Sequence, residues 1–182
     1  MKHEFAARSL NVAGFASAGD SHTGEERLAR FERLMEETHG LGGETLVSYS
    51  VQGFLRQDAA GQEEPWLHLS AQATLSLICQ RCMGPVDVEV AFERDFRFVA
   101  TEELAEVEDE ESEEDVLVLS KSFNLLELAE DELLMSMPPV PKHAVCPKPV
   151  KLQAADPNFV AEETEKPNPF SALQALKDKG LG

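Results

Sequence analysis

The chain has 182 residues, 42% of them hydrophobic, enough for one ordinary core with extensions, while a single Trp, a single Tyr and ten Pro predict that part of it never packs. Its 34 acidic residues against 16 basic give a formal charge of -18, which disfavours broad binding to a phosphate backbone, because that affinity comes from Lys and Arg displacing counterions. No stretch approaches the roughly 20 apolar residues of a membrane span; Arg8, Ser9 and Asn11 interrupt the apolar N-terminus where a secretory signal needs continuity, and an odd set of three Cys predicts a reducing cytoplasm rather than a disulfide framework.

Residues 1–22 are expected to form a flexible or extended N-terminal segment, with loop from Gly14 to Gly24. Thr23 and Glu26 stand at capping-box spacing, and Leu28, Phe31, Leu34 and Met35 recur at three- and four-residue intervals, which predicts a helix over about residues 24–37. Three strand patterns follow. Leu46 to Leu55 carries Val47, Tyr49 and Val51 on one face, and Gln57 to Gln62 reads as a turn. Leu67 to Cys79 is small or apolar at every second position, and Val86 to Phe98 resumes the alternation after Cys79-Gln80-Arg81-Cys82-Met83-Gly84-Pro85. The short connections predict an antiparallel meander with the CxxC at a strand-to-strand turn.

From Thr101 to Asp115 the chain is crowded with Glu and Asp and has no basic residue, which predicts a disordered acidic loop, 101–115. Val116 to Leu119 reads as a short strand extending the sheet. Asn124 and Glu127 then open a second helix, through about Met135, with Leu125, Leu126, Leu128, Ala129, Leu133 and Leu134 as its apolar stripe. Pro138 and Pro139 end it, and the remaining prolines keep the chain extended up to a short amphipathic helix after Phe170. The expected fold class is α+β: an antiparallel sheet with two main covering helices, an acidic disordered loop and an extended C-terminal arm. The expected division is a single core over residues 23–154 and an arm with a short helix over 155–182.

The candidate chemistry centres on sulfur. A redox CxxC places its first Cys at a helix N-terminus, where the dipole stabilises a thiolate; here a turn and then a strand follow instead. A turn carrying CxxC is one half of a structural zinc site, and His143 and Cys146 can supply the other half as Cys3His with Cys79 and Cys82. The alternative is a free, reduced pair, and His3, His22, His39 and His68 are further imidazoles. There is no GxSxG, Walker loop, HExxH or strand-linked GxGxxG, and the acidic side chains cluster where no pocket is expected to hold them, so no catalytic residue is assigned.

Three blocks then occur in one order. Ile78-Cys79-Gln80-Arg81-Cys82 with Pro85-Val86 resembles the CQRC-containing hairpin of the bacterial YceD family, the large ribosomal RNA subunit accumulation proteins. Leu125-Leu126 through Glu130-Asp131-Glu132-Leu133 to Pro138-Pro139-Val140-Pro141 and His143 is similar to the family's second block, and Lys166-Pro167-Asn168-Pro169-Phe170 to its tail. The resemblance implies a cytoplasmic, non-enzymatic ribosome-biogenesis factor supporting synthesis, processing or stability of 23S ribosomal RNA. Its expected partners are ribosomal or ribosome-assembly proteins, with rRNA reached indirectly and neither membrane nor small-molecule substrate. Arg81 at the hairpin tip and Lys166, Pro167, Asn168, Pro169 and Phe170 are the candidate partner-binding residues. The competing readings are a zinc- or thiol-dependent enzyme using the CxxC hairpin and a direct RNA binder.

Overall fold

The computed structural model describes residues 6–58, 61–109, 112 and 114–148. The chain divides into two units, Met1–Pro149 and Val150–Gly182, and the second, with the predicted arm and its Lys166–Phe170 motif, lies outside the described residues. Five strands form one sheet in chain order: β1 (Ser21–Arg27), β2 (Leu46–Gln57), β3 (Glu63–Ile78), β4 (Pro85–Val99) and β5 (Asp115–Val118). The long central strands follow the sequence alternation. Val47, Val51, Leu67, Leu69, Leu75, Phe96 and Phe98 are buried on one face, and the opposite face carries Ser50, Gln72, Thr74, Glu89 and Glu93 toward solvent.

Helices α1 (Val12–Ala18), α2 (Glu32–Glu37) and α4 (Leu125–Met135) bring Val12, Phe15, Leu34, Leu125 and Leu133 into the apolar core that this face builds. Asn124 caps α4 as the spacing predicts, its side chain accepting from the Glu127 amide at 3.4 Å. The segment that leads into α4 is also tied to the N-terminus. Leu10 and Phe123 exchange main-chain hydrogen bonds of 2.8 and 2.9 Å, and the Leu125 amide donates to the Ala7 carbonyl.

The predicted loop over Gly14 to Gly24 is instead α1 followed by β1. Asn11 caps α1 by accepting from the Gly14 amide at 3.1 Å, and Gly19 ends it in the left-handed region at φ 64°. The helix lies so close to the sheet that a Cβ on Gly53 would stand 2.7 Å from the Phe15 ring and 2.8 Å from Ala16 Cα. The helix predicted over 24–37 is likewise corrected. Its first half is the edge strand β1, antiparallel to β2 with Thr23 opposite Ser50, and only Glu32–Glu37 is α-helical. Ser21–Arg27 has no apolar stripe to bury as a helix, whereas the open edge of β2 offers its backbone a full ladder of partners. The apolar set at Leu28, Phe31 and Leu34 is buried all the same, delivered by a 3-10 turn at Leu28–Arg30 and by α2.

Two further corrections lie at the other edge. The sheet is mixed rather than antiparallel, because β5 runs parallel to β4, with Val99 opposite Val118. A parallel return needs a crossover, and α3 (Glu102–Asp109) provides it inside the stretch predicted to be disordered. Three interactions explain a helix among so many carboxylates. The Thr101 hydroxyl accepts from the Leu104 amide, Glu102 and Glu103 occupy the first turn where the helix dipole favours anions, and Arg97 meets Glu108 at 2.9 Å. Ala105 then buries against Val99 and Val116 in a small second cluster.

Candidate metal centre

Strands β3 and β4 are joined by a six-residue tip, Cys79 to Gly84, whose geometry is closed by two main-chain hydrogen bonds. The Cys79 amide donates to the Gly84 carbonyl at 2.8 Å and the Met83 amide to the Cys79 carbonyl at 2.9 Å, with Met83 in the left-handed region at φ 57°. This turn aims both cysteines to one side. The segment after α4 crosses beneath the tip and is attached there by the Gln80 amide, which donates to the Pro141 carbonyl at 2.9 Å. That attachment places His143 and Cys146 opposite the CxxC, although more than sixty residues separate the two halves in sequence.

The four ligand atoms of Cys79, Cys82, His143 and Cys146 lie within 4.8 Å of one another. The Cys79 and Cys146 sulfurs are 4.0 Å apart, and Cys82 Sγ is 3.4 Å from His143 Nδ1. Bonds of about 2.3 Å to sulfur and 2.0 Å to nitrogen in a tetrahedron put S···S near 3.8 Å and S···N near 3.5 Å, so both distances match one shared cation. The other described imidazoles are engaged elsewhere. His68 lies between Asp95 at 2.7 Å and Glu93 at 3.2 Å, His39 Nδ1 is 3.0 Å from the Glu37 carbonyl, and His22 lies beside Tyr49; His3 is outside the described residues.

Electrostatics at the sulfurs point the same way. Burial pushes the Cys79 thiol up, but the amides of His143, Arg81 and Cys82 and the His143 side chain favour its anion and together bring it down to about 5. At Cys82 the Gly84 amide lowers the thiol, yet burial and the neighbouring Cys79 and Cys146 sulfurs outweigh it and hold the group above the ordinary value. One thiolate thus opposes the ionisation of the next. A divalent cation among them removes that repulsion, and amides directed at sulfur are what such a centre requires.

Arg81 is exposed at the hairpin tip, where the turn places it. Its guanidinium also reaches the second half of the cluster, donating to the His143 carbonyl at 2.5 Å, the Ala144 carbonyl at 3.3 Å and Cys146 Sγ at 3.1 Å. The residues that sequence reasoning passed over are the acids of the second block. Glu130, buried although charged, accepts from the α2 amides of Arg33 at 2.8 Å and Leu34 at 3.1 Å, and so caps α2 from a distant element. Asp131 pairs with the Arg33 guanidinium, and Glu132 reaches Arg94 at 3.5 Å. An acid on the apolar side of an amphipathic pattern was the available signal. Glu130 stands one position from the buried Ala129, and three and four positions before Leu133 and Leu134.

The hairpin with its CxxC, the acid-bearing helix and the proline segment with its HxxC all fall within residues 67–177, the stretch matched by the model of a family described as large ribosomal RNA subunit accumulation protein YceD. The chain belongs to the YceD family. No solved structure matches it. The YceD match begins at Leu67 in β3 and leaves out α1, β1, α2 and β2, although α1, α2 and β2 supply Val12, Phe15, Leu34, Val47 and Val51 to the core. Membership assigns a role in accumulation of the large-subunit ribosomal RNA. Among the described residues no helix is long and apolar enough to cross a membrane.

Proposed function

We propose that this protein acts as a non-enzymatic ribosome-biogenesis factor that supports synthesis, processing or stability of 23S ribosomal RNA by binding ribosomal or assembly proteins in the cytoplasm. The observation that carries the reading is the family match across residues 67–177. The charge of -18 supports a protein partner over direct contact with RNA, since a basic ribosomal protein is attracted by the field that repels phosphate. Contacts to that partner are assigned to Lys166, Pro167, Asn168, Pro169 and Phe170. Carboxylates of the 101–115 stretch mask basic charge on it before assembly.

Within this role the Cys79, Cys82, His143 and Cys146 group holds one structural zinc ion. Nitrogen and sulfur donors in a tetrahedral set suit zinc, and four protein ligands leave no open position for a substrate. The zinc fastens the proline segment to the hairpin. A thiol-dependent enzyme is the second reading, favoured by the low-titrating Cys79; its sulfur, however, is fully buried, out of a substrate's reach.

Affinity isolation of the full chain and of a form lacking residues 155–182, with the co-purifying proteins and RNA identified, tests the function. Ribosomal proteins that follow the full chain and are lost from the truncation support it. Ribosomal material retained equally by both removes the assignment to the arm, and RNA captured without protein, in a strongly salt-dependent way, favours direct RNA binding.

A further inference from the structure

The Cys79–Gly84 tip is fixed by its own hydrogen bonds and by the strands on either side. The opposite half has no such frame. Residues 141–148 have no helix or strand, and among the described residues the nearest main-chain hydrogen bond to the tip is at Pro141, two positions before His143. Apart from the ligand pairs themselves, Cys79 with Cys146 and Cys82 with His143, and the His143 amide directed at the Cys79 sulfur, one side chain of the tip holds the span from His143 to Cys146. Arg81 uses Nη2 on the carbonyls of His143 and Ala144 and Nε on the Cys146 sulfur. Both carbonyls and the sulfur are thereby fixed by a single planar group that is itself anchored between Cys79 and Cys82.

We propose that Arg81 is the positioning residue of the metal centre: its guanidinium seats the His143–Cys146 loop on the hairpin and offsets the negative charge that three thiolates leave around a divalent cation. This rests on the zinc reading given above. Three thiolates and one imidazole around a dication carry one net negative charge, and a guanidinium 3.1 Å from Cys146 Sγ places a cation against it. The same hydrogen bond withdraws electron density from that sulfur, so the Cys146 thiolate becomes a poorer nucleophile and the centre a structural one. Lysine cannot take the place of this group, because a single ammonium does not span two carbonyls and a sulfur in one plane. The arginine in the middle of the CxxC therefore serves the second pair of ligands.

The test uses the full chain and the Arg81→Ala, Arg81→Lys and Arg81→Gln variants, loaded with zinc or cobalt(II). Arg81→Ala is expected to hold zinc about 10–100-fold more weakly in competition with a chromophoric chelator, the usual effect of losing a group that orients a metal ligand. Its cobalt form is expected to lose thiolate charge-transfer intensity, and its metal-loaded Cys146 to be alkylated by iodoacetamide ahead of Cys79 and Cys82. Arg81→Lys restores the charge but not the fork and is expected to recover only part of the affinity. Arg81→Gln, which keeps the stem, replaces the alanine variant should that one lose its circular dichroism. Normal metal uptake by the wild-type chain with an unchanged affinity and cobalt spectrum in all three variants would overturn the role of Arg81 alone. A wild-type chain that takes up neither metal would overturn the zinc reading and this role with it.

Discussion

Replacing Glu130 by alanine tests whether the acid-bearing helix is structural. In the folded chain the Glu130 side chain is about one-tenth exposed and accepts from the Arg33 and Leu34 amides, with the Arg33 guanidinium at 3.5 Å. The helix it caps has only six residues and receives no side-chain cap from its own N-terminal neighbour. Loss of an N-terminal cap costs about 0.5–2 kcal/mol, and leaving the buried Leu34 amide without an acceptor costs about 1–3 kcal/mol. The two effects overlap, so Glu130→Ala is expected to destabilise the protein by about 1–4 kcal/mol, a large share of a typical stability of about 5–15 kcal/mol. Urea denaturation followed by circular dichroism reads this as a midpoint lowered by about 0.5–2 M, for a slope of about 2 kcal/mol per M. Glu130→Gln keeps an acceptor oxygen and is expected to recover more than half of the loss. The exposed Glu127→Ala, in the local cap of α4, is expected to cost less than about 1 kcal/mol. A Glu130→Ala midpoint equal to that of Glu127→Ala would refute the reasoning.

Glu132 is pushed above the ordinary carboxylate range chiefly by burial, with Arg94 opposing and Asp115 and Asp131 adding to the rise. A carboxyl raised in the folded state is penalised when ionised there, so its contribution is most favourable below about pH 4 and is lost as pH rises through its folded pKa. Glu132→Gln is therefore expected to gain stability relative to wild type between about pH 4 and pH 7, and thermal melts across that range showing the opposite slope would count against this. Gly53→Ala drives a Cβ into Ala16 backbone atoms at 2.8–2.9 Å and is expected to cost about 1–3 kcal/mol; at Gly24 the obstruction is the Tyr49 ring, which can swing away, so Gly24→Ala is expected to cost less in the same melts. In metal-free protein the lowered Cys79 contributes stability that is complete above its unfolded pKa of about 8.5 and is lost as pH falls through about 5. A thiolate absorbance step near that pH, missing from Cys79→Ser, is the expected signature. Stripping zinc with a chelator is expected to lower the melting temperature, and an identical melt after stripping would argue against a structural metal.

Sequence by itself determined the elements whose patterns are complete within a short stretch. The alternation in β2, β3 and β4 fixes which side chains face the core, the CxxC must stand at a turn because the alternation stops and restarts around it, and Asn124 with Glu127 marks the start of α4. The four cluster residues were legible by type and spacing, since Cys and His in two closely spaced pairs offer few other combinations. Only the tertiary structure decided between strand and helix for Ser21–Arg27, because the local capping signal at Thr23 and Glu26 competes with a ladder on β2 that begins nineteen or more positions away. It also decided that Glu102–Asp109 folds, through Arg97 and the apolar contacts of Ala105 that charge density does not reveal. Glu130 and Arg81 belong to the same class. Each is a charged side chain whose partners are main-chain atoms of a remote segment, and a sequence states the charge of such a residue but not which unpaired amides or carbonyls the fold will bring to it.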